Sequence, residues 1–190
     1  TSRYDVVQRY YKLKAKLIGI DQLAHYDRFA PIAEDPSKVP WDVARELVTN
    51  AYADFAPEAG DVAERFFSAR WIDAPVRDNK RNGAFCATNV PGVHPYILMN
   101  STGDRRSILT LAHELGHGLH GYLSQPLGLF NASTPLTTAE TASVFGEALT
   151  FKRLYALEED PQRRLNLLAG RIEDSIATVF RQIAMNRFED

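Results

Sequence analysis

The chain has 190 residues, with 22 Lys+Arg against 24 Asp+Glu and a formal net charge of −2, a balance that excludes a strongly basic nucleic-acid binder held by phosphate contacts. Hydrophobic residues make up 45% and charged residues 24%, the composition of a folded globular protein, and no run reaches the ~18–20 apolar residues of a membrane helix. The one cysteine, Cys86, excludes an internal disulfide and a multi-cysteine zinc site, and fits a reducing compartment, read here as the cytoplasm.

In chain order, Val6, Val7, Tyr10, Leu13 and Leu17 recur at helical spacing and predict a helix over 2–18, stopped by Gly19. Residues 30–40 hold three prolines with Glu34, Asp35 and Ser37 and read as a loop. Pro40 suits the first position of the next helix, marked by Val43, Ala44, Leu47, Val48, Ala51 and Phe55. A third helix is expected over 58–71, with Val62, Phe66 and Phe67 facing inward. Residues 82–100 differ. Two short apolar runs, 84–87 and 96–99, flank Pro91-Gly92 and predict an antiparallel hairpin with a longer loop. Helices are then expected over 106–122, 138–158 and 161–189, with a loop carrying Pro126 and Pro135 between the first two. The fold class is mainly α with a small antiparallel hairpin. The chain starts at Thr1 without Met and closes at Asp190 inside a helical pattern, so residues 1–190 are expected to be a single internal fragment of a longer chain.

The stretch 111–120 carries His-Glu-x-x-His on a predicted helix. His113 and His117 are four residues apart, hence only about 40° apart around the axis, so both imidazoles leave one face. Two ring nitrogens can then meet one Zn²⁺ at about 2.0–2.1 Å. Glu114, beside the first of them, can reach a water there without ligating the metal, as a general base does. His120 lies seven residues after His113, a rise of about 10.5 Å, too far to share the same ion, and suits a supporting position behind the ligands or simply a satisfied polar group. A histidine at position 123 is absent; that residue is leucine. The third ligand must come from elsewhere. Glu140 and Glu147 are one heptad apart on the next helix, among Ala139, Ala142, Val144, Phe145, Ala148 and Leu149. Carboxylates on so apolar a face need partners. Glu140 is assigned as ligand, and Glu147 as a supporting residue that bonds a ligand histidine or a nearby backbone group.

These stretches resemble the oligoendopeptidase F branch of the thimet-oligopeptidase-like zinc metallopeptidases. The similarity runs through Arg70-Trp71-Ile72-Asp73, Lys80-Arg81-Asn82-Gly83-Ala84-Phe85, and His94-Pro95-Tyr96-Ile97-Leu98-Met99-Asn100. It continues through 110–120 and 139–147. The resemblance implies a zincin-like helical catalytic core and endopeptidase activity on short peptides. It implies one Zn²⁺ held by His113, His117 and Glu140, with Glu114 as base. It also implies that the hairpin presents an edge to the substrate backbone, with Gly83 allowing close approach and Ala84 and Phe85 supplying main-chain groups. Family members are about three times longer, with an N-terminal region roofing the channel and a later segment binding substrate and oxyanion, so the remaining parts of its own longer chain are expected partners.

A competing reading is a zinc-stabilised binding module without catalysis. A closed site would need a fourth protein ligand, for which Cys86 and His94 are the candidates. Cys86 itself reads as a packed thiol on a strand.

Overall fold

The computed structural model describes residues 3–33, 38–88, 90 and 92–189. In chain order the elements are α1 (Tyr4–Ile18), α2 (Trp41–Phe55), α3 (Pro57–Ser68), β1 (Ile72–Pro75), β2 (Phe85–Ala87), β3 (Tyr96–Ser101), α4 (Arg105–Ser124), α5 (Leu136–Leu157), α6 (Pro161–Ile176) and α7 (Gln182–Glu189). The fold is mainly helical with one small sheet. Among the described residues, no helix is long and apolar enough to cross a membrane.

The chain divides into two compact units. One comprises residues 37–157, the other 1–36 with 158–190.

In the larger unit, each helix start has a local cause. Pro57 opens α3 at a position where its missing N–H costs nothing. Asp104 caps α4, its carboxylate accepting from the Ser107 amide at 2.7 Å and the Ser107 hydroxyl at 2.8 Å. The core closes around Val48, Phe66, Ile97, Met99, Leu111 and Leu115, each at most 2% exposed. Helix α4 packs along α5 and lies against the sheet.

The sheet has three strands in the order β1-β3-β2. The antiparallel β2–β3 hairpin pairs Phe85 with Leu98, Cys86 with Ile97 and Ala87 with Tyr96. Its turn includes Pro91, which lies outside the described residues. The sequence pattern missed β1. It pairs parallel to β3, with Ile72 opposite Ile97, and the register slips between Asp73 and Pro75. Four residues ending in proline are too short a run to read as a strand, and only the distant partner makes them one.

In the smaller unit, α1 ends at Gly19, whose φ of +78° a side chain would disfavour. The expected apolar stripe is displaced. Leu13 and Leu17 stay exposed, while Tyr10, Lys14 and Ala15 are buried. The Lys14 ammonium is satisfied by Glu173 at 2.5 Å and the Arg28 carbonyl at 2.7 Å, and Tyr10 donates to the same carboxylate at 2.7 Å. A short 3₁₀ turn over His25–Phe29 was not foreseen. The expected 161–189 helix is interrupted by a wider, π-type turn over Ala177–Arg181 between α6 and α7. Of the predicted 30–40 loop, residues 34–37 lie outside the described residues. Pro40 sits just before α2 as its cap rather than inside it.

Candidate metal centre

His113 and His117 project from one face of α4, their ring centroids 5.0 Å apart and their planes 84° apart. Glu140 enters from α5. Its Oε2 lies 3.4 Å from His113 Nε2 and 3.7 Å from His117 Nε2. Two ligand atoms at about 2.0–2.1 Å from one tetrahedral ion stand about 3.3 Å apart, so these spacings suit a shared cation. One donor atom from each of the three residues lies within 4.8 Å of the other two, and no other such group occurs among the described residues. Two imidazoles and one carboxylate form the donor set of an open catalytic zinc site.

Each of the three candidate ligands has neighbours that orient it. His113 Nδ1 is 3.3 Å from Glu147 Oε2, which leaves its Nε2 facing Glu140. The Ala139 backbone lies close enough to the His117 ring to favour its protonated form. Ser143, fully buried, donates its hydroxyl to Glu140 Oε2 at 2.8 Å. Burial pushes the His113 imidazole down, but the Glu147 hydrogen bond and the nearby Glu114 and Glu140 carboxylates outweigh it and hold its pKa above the usual value. For His117, burial prevails over Glu140 and keeps the pKa low.

Glu114 is 6% exposed. Burial pushes its carboxyl up to about 7; His113 and the nearby Cys86 backbone oppose the rise, and Glu140 adds to it. A carboxyl titrating near 7 suits proton transfer at neutral pH.

The helix spacing that aims these groups is set by glycines. A Cβ on Gly116 would meet the Ala142 carbonyl oxygen at 2.5 Å and Ser143 Cα at 2.7 Å, so α4 and α5 touch backbone to backbone beside the ligands. Gly146 leaves the space through which the buried Tyr52 hydroxyl donates to the Ala112 carbonyl at 2.7 Å, one residue before His113.

The pattern of peptidase family M3 matches residues 3–190. The chain belongs to peptidase family M3. It is 33% identical over 188 residues to the oligopeptidase PepF of Bacillus subtilis, covering 97% of this chain and 28% of that protein. It is 31% identical over 190 residues to an oligoendopeptidase F homologue of Borreliella burgdorferi, covering 97% and 32%. Among solved structures, a peptidase from Chlamydophila abortus superposes with a TM-score of 0.83 at 26% identity, over 97% of this chain and 31% of that one. PZ peptidase A, solved with an inhibitor, has a TM-score of 0.79 at 20% identity, over 95% and 32%, a likeness of fold. The chain thus spans about a third of the length of these relatives.

Within this M3 chain the other expected site residues lie around the cluster. His120 is one turn beyond His117; its carbonyl accepts the Ser124 hydroxyl at 2.7 Å, and its ring is near enough to depress His117. Gly83 has a φ of +84° with open space around it, and Ala84 leads into Phe85, the first residue of β2. With β3 on one side only, β2 is an edge strand of the sheet. Cys86 and His94 do not join the cluster. His94 is stacked on Trp71 at 4.1 Å and 6°, and burial, with Glu114 adding, pushes the Cys86 thiol up to about 12. Ser143 was missed in the sequence. Its signal was present: it follows Glu140 by three residues, the spacing at which helical side chains meet.

Proposed function

We propose that the chain is the zinc-binding core of an endopeptidase that hydrolyses internal bonds of short peptides. The observation that supports this most is the convergence of His113, His117 and Glu140 beside the buried Glu114. Those three residues would hold one zinc ion, and Glu147, Ser143 and the Ala139 backbone would keep them aimed. Zinc, when bound, supplies Lewis acidity that lowers the pKa of water and polarises a peptide carbonyl. Glu114 takes the proton of the attacking water and passes it to the leaving amine. Its buried carboxyl, poised near 7, can hold that proton between the two steps. The peptide backbone would pair with the edge of β2, approached through Gly83, Ala84 and Phe85. His120 would support His117 from the next turn.

The remaining length of an M3 peptidase would complete the cleft around this core and supply a further donor to the oxyanion. Lacking such a donor costs about 10²–10³ in rate, so the chain alone is proposed to bind zinc and cleave slowly. Its lone thiol fits a cytoplasmic setting.

The test is metal content and hydrolysis together. The chain, stripped by chelator and returned to zinc, is expected to hold about one ion, as the ligand set requires. Glu140→Ala is expected to lose it, and Glu114→Gln to keep it while losing peptide hydrolysis. Full zinc binding by Glu140→Ala, or hydrolysis that survives Glu114→Gln, would overturn the proposal.

A further inference from the structure

The Lys80 side chain is only 5% exposed. Its ammonium donates to three backbone carbonyls: Asp73 at 3.0 Å, Pro75 at 2.9 Å and Met99 at 2.7 Å. It also lies 3.1 Å from Asp73 Oδ1. These carbonyls stand where the β1–β3 ladder slips register, between Asp73 and Pro75. Pro75 has no N–H to give, so the ladder runs short of donors there. An ammonium has three, and all three are used.

Just beyond, the Asn100 amide spends both its hydrogens on the same approach to β2. It donates to the Arg81 carbonyl at 2.9 Å and the Gly83 carbonyl at 3.1 Å. The chain from Lys80 to Gly83 is therefore tied to β1 and β3 at both ends, and it feeds directly into β2. That strand lies at the edge of the sheet and packs against α4, the helix that carries Glu114.

We propose that Lys80, with Asn100, is a positioning residue: it fixes the start of β2, so that this strand, packed on α4, keeps Glu114 in its working orientation. The Glu114 role rests on the peptidase reading above; the anchoring of β2 does not. Arg77 is the natural contrast. It binds the same Asp73 carboxylate, at 2.5 and 2.6 Å, from an exposed position and touches no strand carbonyl.

The test compares Lys80→Met, Asn100→Ala and Arg77→Ala by amide hydrogen exchange, by the reaction rate of the lone Cys86 thiol, by zinc content and by steady-state hydrolysis. Losing several hydrogen bonds of about 1 kcal/mol each should speed exchange at Phe85–Ala87 about tenfold or more in Lys80→Met. The Cys86 thiol should react faster, while α4 exchange and zinc content hold. Asn100→Ala should move in the same direction, and Arg77→Ala should do neither. In hydrolysis, kcat should fall with KM little changed, since a misplaced catalytic group acts on the chemical step. Unchanged exchange at β2, or equal acceleration across β2, α4 and α5, would overturn the proposal. If Lys80→Met does not fold, the same outcomes are read from Asn100→Ala. A chain that neither binds zinc nor cleaves peptide would sink the peptidase reading, and the exchange pattern would still decide the anchor.

Discussion

The Ser143 hydroxyl donates to Glu140 Oε2 at 2.8 Å, the same oxygen that faces both imidazoles. The serine holds the carboxylate while sitting fully buried in the α4–α5 contact. Ser143→Ala removes one oxygen and no volume that the packing needs. Zinc affinity is expected to fall about 10–100-fold, with the denaturation midpoint nearly unchanged. Competition titration against a chelator measures it, and unchanged affinity would count against the role given to Ser143.

Glu147 acts on the other nitrogen of the His113 ring. It stands 3.3 Å from His113 Nδ1, so Glu147→Ala frees the imidazole to rotate away from Glu140. A loss of affinity on the order of 10–100-fold is expected here too. Because both changes act on the same ion through touching elements, the double variant is expected to lose less than the sum of the two.

Gly116 and Gly146 invert an ordinary expectation. Glycine inside an exposed helix is disfavoured against alanine by about 1 kcal/mol. At these two positions the methyl group has no room: Gly116 would meet the α5 backbone, and Gly146 the Tyr52 side chain and the Ala112 carbonyl. Gly116→Ala and Gly146→Ala are expected to destabilise the fold by about 1–3 kcal/mol through overpacking. Urea unfolding decides the sign. Gain of stability in either variant would show that the helices are free to move apart.

Much of the site could be read locally. His113, Glu114 and His117 lie within five residues, and helix geometry alone brings the two rings together. Glu140 and Glu147 were marked by being acids on an apolar helix face. Lys80 was not legible in chemical terms. It stood inside a recognised stretch, but its partners are carbonyls on two strands that meet only in three dimensions. The same is true of β1, whose pairing with β3 is remote in sequence. In α1 the error was one of face. Leu13 and Leu17 belonged to the apolar stripe, yet they stay exposed, while Lys14 is buried beside Tyr10 and Ala15 with Glu173 there to receive it.

Asp104 offers a test through pH. Burial raises its carboxyl, but the Ser107 amide and the Thr102 and Ser107 hydroxyls outweigh that and hold it below the usual carboxylate range. A depressed folded pKa gives stability that is fully present above the unfolded value of about 3.9 and is lost as pH falls through the folded value. At pH 7, Asp104→Ala is expected to cost about 0.5–2 kcal/mol. The gap between variant and parent should close as the solution is acidified below about pH 4. A gap that stays constant with pH would show that the carboxylate charge contributes nothing.

Both helices that carry the candidate ligands, the buried Glu114 and the residues that orient them belong to one helical hairpin, Arg105–Leu157. Closing that single connection brings every candidate donor together, and the entropic cost of loop closure grows only slowly with length. An ion captured by His113, His117 and Glu140 would therefore cross-link α4 to α5 and stabilise the hairpin as a unit.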